Sequence, residues 1–268
     1  MSENVLETSH LDASYASQYK NLYQVAFRIT GSIHDAEDVM QEAYINAFKG
    51  FDSFGGRSAI STWLYRITVN CALKYMKPRK NFPVERMAAD KGVTVEFFFE
   101  SLKDFRQVED EVLYNDMRET CVHMFTECLP TKQRLTFVLR VIMDLSVADT
   151  AAILEISESA VKTNLYRARV TLRQAMDGKC AFIDPKFPCK CKLWVNYAIE
   201  NNRRDLIASV PVINRNEKAL ENQILSEMNF LKKVSILYRS ELKVGDADVF
   251  IKKMKSILNQ SEMKVLKS

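Results

Sequence analysis

Nowhere in this chain do apolar and polar residues alternate for more than a few positions, while apolar residues return at steps of three and four in segment after segment. That 3.6-residue period belongs to helices with one buried stripe, and its dominance argues against sheet. Seven glycines and six prolines among 268 residues leave little to interrupt such helices, so they should be long and the turns few. The length allows one to three domains. The expectation is an all-α protein.

Residues 31–48, GSIHDAEDVMQEAYINAF, can be read position by position. Gly31 can take the left-handed conformation that stops one helix, Ser32 can cap the next, and Asp35 stands three residues on as the partner of a capping box. Ala36, Met40, Ala43 and Ala47, with Val39 beside them, give a small apolar face. The opposite face carries Asp35, Asp38, Glu42 and Asn46. A solvated acidic face is the plain alternative to a docking surface, and for most such helices it is the right one.

The following segment shifts that balance. Residues 57–80 hold Arg57, Arg66, Lys74, Lys77, Arg79 and Lys80 and no acidic residue, a stretch that repels itself unless a polyanion is near. Ile60 and Tyr65 around Ser61 predict a staple and an N-cap, so a helix should begin at Thr62. Trp63, Leu64, Ile67 and Cys71 should face inward, with Arg66, Asn70, Lys74 and Lys77 on the outer face. Trp63, Tyr65 and Tyr75 lie among these cations, the mixture that binds unstacked bases and their backbone; core aromatics are the competing reading.

A helix-turn-helix pattern occupies residues 130–172. Pro130 opens a helix with a stripe of Leu135, Val138, Leu139 and Ile142, Ser146 caps a short helix, and Ser157 caps a third with Ile156 and Val161 as its staple. Val161, Leu165, Ala168 and Leu172 should be buried. That leaves Glu158, Ser159, Lys162, Thr163, Tyr166, Arg167 and Arg169 for a major groove and its phosphates. Residues 129–176 hold seven Lys or Arg against four Asp or Glu, the excess falling late, on the third helix. A generic charged three-helix bundle is the alternative.

DAEDVMQEAYINAF, STWLYRITVN and LPTKQRLTFVLRVIMDLSVADTAAILEISESAVKTNLYRAR, in this order, resemble the RNA polymerase sigma factors of the extracytoplasmic-function group over roughly residues 15–177. The resemblance implies a helical promoter-melting domain at 15–80, a linker at 81–126 threading the polymerase, and a helix-turn-helix domain at 127–177, with residues 178–268 as a helical extension. Asp35, Asp38, Gln41 and Glu42 would face the clamp helices of core RNA polymerase. Trp63, Arg66, Asn70, Lys74 and Lys77, with the loop Phe51 to Ser58, would read and melt the minus-ten element. Ser159, Lys162, Thr163, Tyr166, Arg167 and Arg169 would read the minus-thirty-five element. The partners implied are core polymerase, promoter duplex and its melted strand, with an anti-sigma factor as a further candidate. No catalytic residue is implied. The linker, with Pro78, Pro83, Phe97, Phe98, Phe99 and the acidic run Glu109, Asp110 and Glu111, is expected to be poorly regular.

Three positions depart from the family's pattern. Lys74 stands where many members carry an acid, Glu155 where the helix-turn-helix often holds Gly, and Asp149, Thr150 and Ala151 where Glu-Ile-Ala is usual. A bulky residue at 155 needs a conformation that Gly adopts more easily.

A formal charge of +4 fits an acidic docking face offsetting two basic ones. The N-terminus has neither a basic patch nor an apolar core, so no signal peptide is expected, and no stretch nears transmembrane length; a cytoplasmic location follows. Six cysteines should then be reduced. Cys71, Cys121 and Cys128 fall in helical patterns as packing residues, whereas Cys180, Cys189 and Cys191 share a looped segment after the helix-turn-helix. They are candidate zinc ligands, but zinc wants a fourth, and His10, His34 and His123 are distant in sequence. A packing role is the alternative, and no other cofactor is implied. Further on, Leu220, Ile224, Met228, Leu231, Val234 and Tyr238 mark one amphipathic helix, and Val249, Ile251, Met254 and Leu258 another, each expected to pack unless it covers a functional face.

Two other classes compete. A conventional regulator would bind its operator without polymerase, yet has no use for the acidic helix and the acid-free helix after it. An enzyme would show a phosphate loop, an HExxH pair or a nucleophile elbow, and none is present.

Overall fold

The computed structural model describes residues 2–76, 83–102, 111–181, 184–202, 207, 212–214, 241–242 and 244–265. It is built of helices: α1 (Ser2–Thr30), α2 (Ile33–Gly50), α3 (Ile60–Tyr75), α4 (Pro83–Asp90), α5 (Val95–Ser101), α6 (Glu111–Glu127), α7 (Thr131–Phe137), α8 (Val147–Leu154), α9 (Glu158–Met176), α10 (Cys191–Glu200) and α11 (Ala247–Val265). The helical expectation holds, with one addition. Strands β1 (Val212–Asn214) and β2 (Glu241–Leu242) form a short antiparallel pair, with Val212 opposite Leu242 and Asn214 opposite Glu241.

The chain divides into two compact units. One contains residues 1–77, 138–161 and 243–268, the other residues 78–137 and 162–242. In the first, α1, α2 and α3 enclose Tyr15, Leu22, Phe27, Val39, Met40, Tyr44, Leu64 and Val69, all essentially without solvent exposure. The α1–α2 junction forms as its sequence requires. Gly31 turns at φ 78°, and Ser32 Oγ accepts the Asp35 N–H at 3.3 Å. The Ser32 N–H goes back to Thr30 Oγ1 at 3.4 Å, so a threonine upstream serves the donor that a capping box would leave to Asp35.

α3 begins two residues before the expected start. Its N-cap is Ala59, with no side-chain bond to the helix, so Ser61 lies inside the first turn. The shift reflects packing overriding a local cap signal. Leu64, Tyr65, Thr68, Val69, Cys71 and Ala72 are buried.

α11 also packs in this unit. Phe250 lies parallel to Tyr15 at 6.0 Å between ring centres, meets Tyr19 at 5.0 Å and Tyr44 edge-on at 6.1 Å, and Lys255 pairs with Asp12. Ile251, Met254 and Leu258 are buried as the stripe requires, but Val249 is 66% exposed; Phe250 takes the inward place expected of it. The stripe from Leu220 to Tyr238 lies outside the described residues.

The second unit corrects the expectation of an irregular linker. α4, α5 and α6 are regular helices, and Val84, Phe98, Phe99, Tyr114 and Met117 form one core with Trp194, Val195 and Tyr197 of α10. Thr94 caps α5 by accepting the Phe97 N–H at 3.2 Å. Of the three phenylalanines, Phe98 and Phe99 are buried and Phe97 is 63% exposed. Helical spacing therefore organises this segment, which composition alone made look loop-like.

Candidate functional site

On α2, burial of Ala36, Val39, Met40, Ala43, Tyr44 and Ala47 turns the expected acidic face outward. Asp38 is exposed, and Asp35, Gln41 and Glu42 are partly so. The packing has consumed one side of the helix and left its carboxylates on the other.

At the end of α2 a 3-10 turn, Phe51–Ser53, leads into Gly55 and Gly56, both in the left-handed region. The loop folds so that Phe51 and Phe54 gather on Trp63, with ring centres 6.1 Å and 4.9 Å away. All three rings remain partly exposed. Trp63 thus turns toward the loop with its ring partly exposed, one of the two places its sequence allowed, whereas Tyr65 is buried as a core aromatic. Burial pushes the Tyr65 hydroxyl up to about 12. The aromatic surface that could stack on a base is Phe51, Phe54 and Trp63. Individual naming of the two phenylalanines escaped the sequence reading, although the double glycine after them signals an exposed turn.

Along α3, Asn70 and Lys74 are exposed and Arg66 is half-buried; Lys77 lies outside the described residues. Lys74 pairs with Glu42 of α2, and that hydrogen bond holds the ammonium above its ordinary value. A residue expected to meet polymerase and one expected to meet DNA therefore contact each other. Arg66 is held from the other side: its Nη2 donates to the Ala152 carbonyl at 2.7 Å, and its Nη1 lies 3.2 Å from Glu155 Oε1.

The helix-turn-helix is formed by α8, a turn, and α9. α7 continues into a π turn over Val138–Ile142. Ser146 Oγ then accepts the Asp149 N–H at 2.9 Å while donating to Asp149 Oδ2 at 2.5 Å. Glu155 closes α8 at φ 54° and ψ 43°, its N–H donating to the Ala151 carbonyl, so the bulky residue does adopt the glycine-like conformation. Ser157 Oγ accepts the Ala160 N–H at 3.2 Å to start α9. Val161, Leu165, Ala168 and Leu172 are buried, as expected. Ser159, Lys162, Thr163, Tyr166, Arg167 and Arg169 are all exposed, Tyr166 at 68%.

Comparison with known proteins assigns the family. Residues 15–81 match the family described as sigma-70 region 2, and residues 119–172 match sigma-70 region 4. The extracytoplasmic-function RNA polymerase sigma factor SigW of Bacillus subtilis is 34% identical over 161 residues, 59% of this chain and 84% of that protein. The sigma-E factor of Escherichia coli K12 is 36% identical over 148 residues, 54% of this chain and 73% of that protein. A co-crystal structure of the sigma factor RpoE with the anti-sigma factor NepR from Bartonella quintana aligns with a TM-score of 0.42 at 21% identity, over 62% of this chain and 96% of that one. The chain belongs to the extracytoplasmic-function sigma factors of the sigma-70 family.

As a sigma factor, it binds core RNA polymerase and directs promoter recognition and initiation. Both family matches end before residue 178, so the C-terminal cysteines and α11 are additions to the shared pattern. No described helix is long and apolar enough to cross a membrane. Cys71 is buried in the first unit, where Asn46 Nδ2 donates to its Sγ at 3.3 Å. In the second unit Cys121, expected to be mere packing, lines the same cavity as Cys180 and Cys189. Among the described residues no three Cys, His, Asp or Glu side chains are grouped so that they could hold a metal ion, so the three C-terminal cysteines expected as candidate ligands do not form a site with a fourth.

Proposed function

We propose that this sigma factor docks on core polymerase through Asp35, Asp38, Gln41 and Glu42 of α2, melts the minus-ten element with the Phe51–Trp63 loop and α3, and reads the minus-thirty-five element with α9. The observation that supports this division is the set of side chains left over by packing: acids on α2, aromatics and cations on the loop and α3, and a long polar and basic face on α9. Each exposed face has the chemistry of its partner. Carboxylates meet a basic protein surface, rings and cations take unstacked bases and their phosphates, and Arg, Lys, Ser, Thr and Tyr side chains read groove edges and backbone.

In action, core binding places the two nucleic-acid surfaces on promoter elements about two helical turns apart. A base leaving the duplex stacks on Trp63, Phe54 or Phe51, while Asn70 and Lys74 meet its strand. Arg66 and Lys74 reach DNA once released from Glu155 and Glu42. The work is binding, and the place of action is the cytoplasm, where promoter and polymerase are. An anti-sigma protein could compete for the same exposed faces.

Transcription reconstituted with sigma-free core polymerase and a genomic promoter library tests the reading. Addition of this chain should yield defined start sites, and Asp38→Lys with Glu42→Lys should abolish both initiation and co-purification with core while leaving helical content unchanged. Normal core binding by that double variant would reject the docking face.

A further inference from the structure

The aromatic surface at the end of α2 does not stop at Phe51. His10 of α1 reaches it from the side, its ring centre 6.2 Å from that of Phe51 with the planes at 38°. The fold brings these two rings together in a simple way. α1 and α2 run antiparallel from the turn at Gly31, as the Tyr15 hydroxyl on the Met40 carbonyl and the Tyr44 hydroxyl on Asp12 show, and His10 and Phe51 lie roughly equally far from that turn along the chain. Leu11, Tyr15 and Leu22 bury the inner stripe of α1. His10, one residue before Leu11, is carried to the edge of the stripe and stays exposed.

The rings make an elongated platform. Phe51 is nearly parallel to Phe54, at 13° and 6.4 Å, and lies 6.1 Å from Trp63, while Phe54 and Trp63 meet at 4.9 Å. Among the described rings His10 meets only Phe51, so it stands at one end and the pair of Phe54 and Trp63 at the other. The steps between His10, Phe51 and Trp63, 6.2 and 6.1 Å, are nearly twice the roughly 3.4 Å rise per nucleotide of a duplex strand. Bases resting on successive rings must therefore have come apart from one another, as they do only in a melted strand. Polar groups at both ends are unengaged. Neither the His10 ring nitrogens nor Trp63 Nε1–H has a hydrogen-bond partner among the described residues. Arg57 and Asp52 of the loop between are both exposed and offset each other in charge, so stacking has to supply the affinity here. A histidine that only propped up the loop would be covered by it, and this one is open to solvent.

We propose that His10 is a further base-contacting residue of the promoter-melting surface, its imidazole holding the unpaired base next to the one that stacks on Phe54 and Trp63. The inference rests on the minus-ten reading of the loop and α3 given above, and extends that surface from one captured base to two consecutive ones. Histidine is among the rings on which unstacked bases lie, and its N–H offers a donor to a base edge or to the adjoining phosphate. Because every base has a face to stack, the contact holds the open strand without selecting a letter.

The test uses the full chain assembled with core RNA polymerase on a fork promoter whose minus-ten strand is single-stranded. Binding of the parent and of His10→Ala is compared on the intact fork and on forks made abasic, one at a time, at each nucleotide flanking the flipped one. His10→Ala should weaken binding to the intact fork roughly 5–100-fold, the loss expected for one base–ring stack. On one of the two abasic forks parent and variant should bind alike, because the partner of the imidazole is already gone. His10→Phe should keep most of the parent's affinity, and the thermal midpoint and core binding of both variants should match the parent. Parent-like binding of His10→Ala to the intact fork, an equal loss on both abasic forks, or no retention by His10→Phe would overturn the assignment. Trp63→Ala on the same forks separates this inference from the reading beneath it. If Trp63→Ala weakens fork binding and His10→Ala does not, only the role of His10 falls; if Trp63→Ala binds as the parent does, the minus-ten reading falls with it.

Discussion

Glu155 concentrates two effects in one residue. It occupies a left-handed conformation that costs a side-chain-bearing residue about 1–2 kcal/mol, and in return places a carboxylate beside Arg66. That ion pair is exposed, Glu155 at 67%, and pairs of this kind contribute about 0–1 kcal/mol. The strain outweighs the pair. Glu155→Gly should therefore raise stability in thermal unfolding by about 1 kcal/mol, and should leave Arg66 held only through the Ala152 carbonyl. A fall in the unfolding midpoint would mean that the Arg66 grip is worth more than its exposure suggests. Trp63 and Tyr65 make a second contrast two positions apart. Trp63→Ala should cost about 1–3 kcal/mol in binding to a premelted promoter fork, whereas Tyr65→Phe should leave that binding unchanged, because its ring is in the core. Fork-binding titrations with both variants separate the two roles.

Among the elements, α9 is the one whose two faces agreed with its sequence residue for residue. Its buried stripe fixes which side chains face out, and the outward Arg167 should account for about one released counterion. Arg167→Ala should weaken promoter binding and reduce the slope of affinity against salt by about 1, as footprinting at several salt concentrations would show. α3 was legible as a helix with cations but not in its phase. Its apparent cap at Ser61 lost to packing against α1 and α2, which extended the helix to Ile60 and buried Tyr65. α4 and α5 were hidden for another reason. Prolines and acids flank them, and short helices with little intrinsic stability form only when a core such as that around Phe98 and Trp194 receives them.

Over the whole molecule, buried tyrosines set an alkaline limit. Burial drives the Tyr19 and Tyr65 hydroxyls up to about 12 from an ordinary 10.0, and pushes Tyr15 and Tyr44 up as well, Tyr44 also through its hydrogen bond to Asp12. The unfolded chain gives up these protons first, so their contribution is complete below pH about 10 and is lost as pH rises toward the folded values. Thermal midpoints should hold up to pH about 10 and then drop, with tyrosinate absorbance appearing together with unfolding. α11 adds to the same cluster through Phe250. Ending the chain before Asp246 should strip that cover and lower stability by about 2–4 kcal/mol. If α11 also hinders the adjoining α2, proposed above to dock on polymerase, the shortened chain should drive more transcription per folded molecule in the reconstituted assay, and equal output would limit α11 to packing.

The sequence by itself determined the helical class, the caps at Ser32, Ser146 and Ser157, the outward faces of α2 and α9, and the family. All of these rest on periodicity and on bonds between near neighbours, which a linear chain displays. Only the tertiary structure decided which aromatics stay accessible, that Arg66 meets Glu155 and Lys74 meets Glu42, that α11 covers Tyr15, and that Cys121 lines one cavity with Cys180 and Cys189. Each of those contacts spans dozens of residues along the chain. Its partners are chosen by how helices share buried surface, a choice that no local spacing records.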